Sequence, residues 1–391
     1  MTERYDIAVV GAGTSGIVAA LAAARAGARV ALVESSGRLG GTAIHGLHRY
    51  VCGLFRTGGA QADAPLHGPT TISFCRRLAG GDLETLAVRR GRVWLLPFAG
   101  GETLEACAEA AIADESRIRL FRGLRPMRTI GDSDRIAGIE LDGGNVLQVD
   151  AAIDCTGSAE VCRMAGCEVA WPDSPALAGY GFEVRNVDEN ASGTFGLSVA
   201  IPLRLRREID GGRLPPHLAY TTWEAGNEAG TGWIKLALPM SHALSAREEA
   251  EAVWNILKRE SCFVRADIVR RLSAVLPRET AHLKGERLLT GADVLGARKF
   301  PDGVARNAWP IERWTENSGV SYRYLPDGEC HDVPEGCLRP QNGPRNLLCA
   351  GAAISADSDA AAAIRVMGVC MALGEAAASV ALRGAFSQRT N

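Results

Sequence analysis

Gly11, Gly13 and Gly16 stand at G-x-G-x-x-G spacing, and an acid, Glu34, closes the next apolar run. This combination suits a pyrophosphate with a ribose beside it. Gly11 permits a tight turn, Gly13 lets the backbone approach the phosphates, and Gly16 lets a helix pack closely on a strand. Thr14 and Ser15 would open a helix whose free N–H groups and partial positive charge face the anion. The carboxylate of Glu34, with Ser35 next to it, is placed to accept from ribose hydroxyls.

Such chemistry needs a strand, a helix and a second strand around it. Ile7 to Val10 is a short apolar run rich in β-branched residues, as in a buried parallel strand. Ser15 to Ala26 has helical spacing at Ile17, Val18, Leu21 and Ala24, and Gly27 ends it. Arg29 to Val33 is the second strand. A lone glycine pattern is weak evidence, but this context makes it a dinucleotide fingerprint. Ser35 to Thr42 follows, with Gly40 and Gly41 adjacent, so the backbone can again run close to a cofactor.

The totals narrow the partners. Forty-three basic residues against 45 acidic ones give a net charge of −2, which favours neither nucleic acid nor an anionic membrane surface. No apolar segment reaches membrane-spanning length, since Arg365 and Glu375 interrupt the alanine-rich end. The first strand starts at Tyr5, so no export leader is expected. The 11 cysteines include no C-x-x-C pair and read as reduced thiols of a cytoplasmic protein. Cys162 and Cys167 are taken as packing. No metal site is expected.

Along the chain, Gly58 to Pro65 is a loop, and Phe74 to Leu86 is helical within a small lid at 60–95. Val93–Phe98 is a strand, Glu102–Ala113 a helix and Ile118–Phe121 a strand. A β-meander follows at Met127–Ile130, Ile136–Leu141 and Val146–Val149. Ala152–Cys155 then returns as a core strand ending in Thr156-Gly157. The character changes near Trp171, and every tryptophan except Trp94 lies in 171–330. Strands are expected at Phe195–Ile201, Ala219–Trp223 and Trp233–Leu238, and helices at Ala246–Glu260 and Phe263–Val275. A core strand at Asn346–Gly351 and a long helix at Ala361–Leu382 close the chain. The fold class is α/β. A Rossmann-type domain with a β-meander (1–170 and 331–391) is interrupted by an α+β substrate domain (171–330).

Three stretches carry a family resemblance: Val9 to Ala43, Ile153 to Gly166, and Asn346 to Ala378 with Ile364-Arg365-Val366-Met367 and Cys370-Met371-Ala372-Leu373-Gly374. In these the chain resembles the FAD-dependent oxidoreductases of the glutathione-reductase-type flavoprotein class. The resemblance implies FAD. The adenosine end would lie on Gly11, Gly13, Gly16 and Glu34. Arg38, Gly41 and Thr42 would follow the pyrophosphate and ribityl chain, with Thr156 and Gly157 nearby. Gly351, Ala352 and the segment Ile364–Met367 would face the pyrimidine edge of the flavin, where a helix N-terminus stabilises negative charge. No cysteine pair follows Gly40-Gly41-Thr42, and no second glycine fingerprint marks a nicotinamide domain.

The resemblance also implies an activity. A small organic substrate gives a hydride to flavin N5, and oxygen or another electron acceptor reoxidises the flavin. The alternatives are a flavin monooxygenase and, further off, a flavoprotein whose FAD is only structural. Where the family carries arginine, this chain has Ala281 and His282, and a tryptophan, Trp314, replaces a histidine. His282 is a candidate base, because an imidazole titrates near neutral pH while a guanidinium does not. His45 and His48 follow the diglycine and are candidates for the flavin face, and with Cys52 for covalent attachment. Trp309 and Trp314 are candidates for the pocket wall, in a domain expected to roof the flavin.

Overall fold

The computed structural model describes residues 2–46, 48–173, 176–192, 196–226 and 228–387. The chain forms two compact units. The larger comprises 1–173, 280–311 and 323–391, and the smaller 174–279 and 312–322. The insert is therefore shorter than the 171–330 expected from composition. Residues 280–311 return to the larger unit because they pair there: His282–Leu283 with Val169–Ala170, and Gly303–Asn307 with His331–Pro334.

The larger unit is built on a seven-stranded sheet. Its strands are β1 (Thr2–Val10), β2 (Val30–Glu34), β3 (Ile118–Arg122), β4 (Pro126–Gly131), β5 (Ile136–Leu141), β6 (Val146–Asp154) and β7 (Leu347–Cys349), in the order β3-β2-β1-β6-β5-β4 with β7 beside β6. β1 is central and parallel to both neighbours, Val10 lying against Val33 and Asp154. Its side chains are buried on both faces, Ile7 and Val9 in one cluster, Ala8 and Val10 in another, as doubly covered parallel sheets require. The meander's last strand and the returning core strand are one element. The start of β6 pairs with β5 and its end, Ala152–Asp154, with β7.

Of the helices α1 (Thr14–Arg25), α2 (Pro69–Ala79), α3 (Gly101–Ala113), α4 (Ser358–Ile364) and α5 (Met367–Ser387), α1 and α5 pack on the sheet and on each other, and α2 packs on both of these helices. The expected long final helix is two helices bent by 94° at Arg365-Val366. The backbone explains the break. The Gly368 N–H donates outside the helix to the Cys52 carbonyl at 2.9 Å. Gly53, held at φ +81°, lies so close that a Cβ there would stand 2.7 Å from Val366 and 2.8 Å from Val369. Insertion of a neighbour into the ladder is a recognised cause of kinks. No single helix among the described residues is long and apolar enough to cross a membrane.

The stretch read as a lid is anchored in the core. Phe74 and Cys75 of α2 are buried, and Glu375 of α5 accepts from the Thr70 and Thr71 N–H groups at 2.9 Å each. The helix stops at Ala79, where Gly80 adopts φ +74°, and a separate turn, Leu83–Leu86, follows.

In the smaller unit Thr222–Ala225, Gly232–Leu238, Ala178–Arg185 and Asp267–Arg271 form an antiparallel sheet in that order. Two expectations fail here. Residues 197–201 are the start of a helix, Leu197–Asp210, whose buried side chains Leu197, Ile201 and Leu205 recur every four positions; over so few residues the apolar alternation Leu197, Val199, Ile201 also fits a strand. Phe195 lies outside the described residues. The helix expected over Phe263–Val275 is instead a turn and the strand Asp267–Arg271, drawn into pairing with Ala178–Arg185. Ala219–Trp223 shifts to the 3-10 turn Pro216–Tyr220 and the strand at Thr222.

Candidate functional site

The parallel strands β1, β6 and β7 end side by side, at Val10, Asp154 and Cys349, so that Gly11, Thr156 and Gly351 follow at one edge. Ligands of open α/β sheets bind at this carboxyl edge. Gly11 turns with φ +96°, and a Cβ there would meet the Cys155 carbonyl oxygen at 2.5 Å. At Gly16 a Cβ would stand 1.8 Å from the Gly11 oxygen. Gly13 is different: nothing lies within 4 Å of where its Cβ would be. It caps α1 in an extended conformation, and no side chain caps the first-turn N–H groups. Thr14 and Ser15, in that turn, are buried. A bare helix N-terminus beside an open glycine is a cradle for an anion.

The diglycine closes the cradle. Gly40 N–H donates to the Ala12 carbonyl at 2.8 Å, Gly13 and Gly40 form a parallel bridge, and Gly41 (φ +55°) passes so near that its Cβ would be 3.0 Å from Gly13 Cα. Thr42 is exposed at the start of the Thr42–His45 turn. Glu34 is buried, and both its oxygens already work. Oε2 accepts from Ala12 N–H at 2.8 Å and Oε1 from Ser36 N–H at 2.7 Å. Each retains a lone pair for a ribose hydroxyl. Arg38 is tied elsewhere. Its guanidinium donates twice to Glu105 of α3, at 2.8 and 2.6 Å, and Glu105 also accepts from Leu39 N–H. Ser35 is exposed.

At the end of β6, Asp154 organises the next turn. It accepts from Thr156 Oγ1 at 2.6 Å, Thr156 N–H at 3.0 Å and Cys162 N–H at 2.9 Å. The sequence reading passed over this residue, although a carboxylate between a core strand and a Thr-Gly turn is a signal for it. The Gly157 carbonyl accepts from Thr280 Oγ1 at 2.6 Å. Gly351 (φ +82°) comes close to α1: a Cβ there would lie 3.1 Å from Ser15 Cβ. Ala352 sits in the same 3-10 turn, Gly351–Ala353. Ile364, Arg365, Val366 and Met367 form the α4–α5 break, with Ile364 buried and the other three half-buried. The start of α4 is already closed by Asp357, which accepts from Ala360 N–H.

His282 is buried and pairs with Ala170, and its short strand packs on the Gly351–Ala353 turn. Thr280, two residues before His282, is the residue bonded to Gly157. His45 is half-buried at the end of its turn, His48 is exposed, and Cys52 is half-buried beside the α4–α5 break through its carbonyl. The two tryptophans belong to different units. Trp309 is buried in the larger, its backbone N–H donating to Asn307 Oδ1 at 2.7 Å. Trp314 is in the smaller, its ring 4.1 Å beneath the Arg278 guanidinium and its indole N–H on Glu312 Oε1 at 2.7 Å.

Asn307 and His331, both fully buried, also escaped the sequence reading. Asn307 Nδ2 donates to His331 Nε2 at 3.0 Å and to the Ala363 carbonyl of α4 at 3.3 Å. His331 Nδ1 lies 3.0 Å from the Asp332 carbonyl, so this network assigns the proton to Nδ1. Burial holds the imidazole neutral, pushing its pKa down to about 4. The unfolded imidazole protonates below about 6.5. Between these values the unfolded chain binds more protons, so stability falls as pH falls, by roughly 3 kcal/mol once both are passed. Urea unfolding should therefore show a smaller loss between neutral and about pH 5 in His331→Gln than in the wild type, by about 2 kcal/mol. Equal losses would contradict the assignment.

A model of the family described as FAD dependent oxidoreductase matches residues 6–390. The chain belongs to this family. FAD is the cofactor of this FAD dependent oxidoreductase, and the open cradle at Gly13 fits its pyrophosphate. Among curated proteins, glutathione reductase of Schizosaccharomyces pombe is 51% identical over 45 residues, 12% of this chain and 10% of the relative. The soluble pyridine nucleotide transhydrogenase of a Marinomonas species is 48% identical over 44 residues, 11% of this chain and 10% of the relative. The chain thus matches about a tenth of the length of these relatives. Among solved structures, the geranylgeranyl bacteriochlorophyll reductase-like protein of Thermoplasma acidophilum is 13% identical with a TM-score of 0.51, over 100% of this chain and 80% of that one. p-Nitrophenol 4-monooxygenase of Pseudomonas putida is 12% identical with a TM-score of 0.52, over 98% and 82%. These likenesses concern the fold.

Proposed function

We propose that this FAD dependent oxidoreductase oxidises a small organic molecule bearing an alcohol or amine. The observation that supports the reading is the open cradle at Gly13, with the strand of the buried His282 packed on the Gly351–Ala353 turn. FAD, when bound, would supply the two-electron acceptor for the substrate's hydride. The protein's residues do the rest. The α1 N–H groups hold the pyrophosphate, and the second lone pairs of Glu34 take the ribose hydroxyls. His282 accepts the proton that the substrate O–H or N–H loses as its C–H hydride departs. The start of α5 at Met367 would offer a positive dipole end to the negative charge of a reduced flavin.

The test begins with anaerobic mixing of the purified holoprotein with a panel of primary and secondary alcohols and amines. Bleaching of the flavin by any of them supports the reading, and bleaching by none counts against it. With a responding substrate, His282→Ala should retain FAD yet slow flavin reduction by at least ~10²-fold. An unchanged rate in the variant would remove His282 from the chemistry. Turnover under labelled oxygen separates the runner-up: label in the organic product would replace simple oxidation by monooxygenation.

A further inference from the structure

The smaller unit holds a group of side chains that the oxidoreductase reading does not use. His217 comes from the 3-10 turn Pro216–Tyr220, His242 from the turn Met240–His242, and Glu249 from the helix Ala246–Leu257. All three elements belong to that unit. His217 Nε2 lies 2.7 Å from Glu249 Oε2, and His242 Nδ1 lies 2.6 Å from Glu249 Oε1. The two rings meet edge to face with centroids 4.6 Å apart. One ligand atom from each residue lies within 4.8 Å of the others. His217 and Glu249 are buried, while the His242 side chain is 37% exposed.

We propose that His217, His242 and Glu249 form a binding site for a divalent transition-metal ion of the zinc type. Two imidazoles and one carboxylate are the donor set that zinc takes when a fourth position is left for water or an exogenous ligand. The exposed side of His242 provides that position. The carboxylate has the outer support such ligands need. Ser245 Oγ lies 2.9 Å from Glu249 Oε1 and 3.2 Å from the carbonyl of His242, tying the acid to the turn that carries its partner. Ligand atoms around a tetrahedral ion with bonds near 2.1 Å stand about 3.4 Å apart. The present separations must therefore open by about 0.7 Å as the ion replaces the two bridging protons. Both histidines sit on short turns that can give by this amount. Each ring nitrogen facing Glu249 exchanges its proton for the metal, the proton moving to the other ring nitrogen or to solvent. No oxidation is involved.

The experiment uses the FAD-loaded full chain, stripped of metal by a chelator and titrated with Zn²⁺ against a chromophoric competitor, and separately with Co²⁺. The expected result is one equivalent bound, with the intense visible absorption of tetrahedral Co²⁺. His242→Ala, at the exposed rim, should weaken Zn²⁺ binding at least ~100-fold and Ser245→Ala about tenfold. Flavin content serves as the folding control for both. Glu249→Gln should abolish uptake; if it fails to fold, His242→Ala decides. Absence of stoichiometric uptake, or uptake with unchanged affinity in His242→Ala, would overturn the site and leave a hydrogen-bonded His–Glu–His clamp. Neither result bears on the flavin reading, which the anaerobic experiment tests separately.

Discussion

Gly13→Val should yield a folded, colourless protein. The backbone at Gly13 is extended, with φ −68° and ψ −179°, a conformation that a β-branched residue adopts without strain. Nothing lies within 4 Å of the Cβ position, so the apo fold has room for the valine. The pyrophosphate needs that same room. Displaced from the first turn of α1, it loses two charge-assisted hydrogen bonds, each worth about 1.5–3 kcal/mol. FAD affinity should fall by ~10² to 10⁴-fold. Circular dichroism and urea unfolding of the apoprotein should match those of apo wild type, while the purified variant carries under about a tenth of the wild-type flavin. Near-normal flavin content would refute the cradle. An unfolded variant would show that Gly13 serves packing instead.

Gly374→Ala should cost the fold itself, at a position where helix propensity alone predicts a gain of about 1 kcal/mol. Gly374 lies inside α5, facing α1. A Cβ there would stand 2.1 Å from the Ser15 carbonyl oxygen and 2.9 Å from its carbon. The obstacle is backbone, so no side chain can rotate aside. The two helices must separate or α1 must shift, which for overpacked cores costs about 1–3 kcal/mol and more when backbone moves. We expect a loss of at least ~3 kcal/mol in urea unfolding, together with weaker FAD retention, because Ser15 belongs to the cradle. Gly384→Ala is the control on the same helix. Nothing lies within 4 Å of its Cβ position, so it should be neutral or slightly stabilising. Equal effects at the two positions would show that the α1–α5 contact does not need the glycine.

What the sequence by itself determined is chemistry written in neighbouring residues. The strand–glycine turn–helix unit, the acid closing β2 and the diglycine were legible because backbone conformation and phosphate access depend on local residue type. The core strands of the larger unit were legible because burial on both faces demands short, continuous apolar runs. Tertiary structure decided the rest. It joined two expected strands into β6, because one strand can pair with a meander at one end and with β7 at the other. It bent the final helix where Gly53 presses on Val366 and Cys52 takes the Gly368 N–H, partners far apart in sequence. It made Leu197–Asp210 a helix and Asp267–Arg271 a strand, because alternation and periodicity coincide over a few residues and pairing with Ala178–Arg185 outweighs local propensity. It also gathered His217, His242 and Glu249 from two turns and a helix, at spacings that carry no motif. Only folding brings such atoms within bonding distance, since no local rule links residues whose relation is the carboxylate of Glu249 between them.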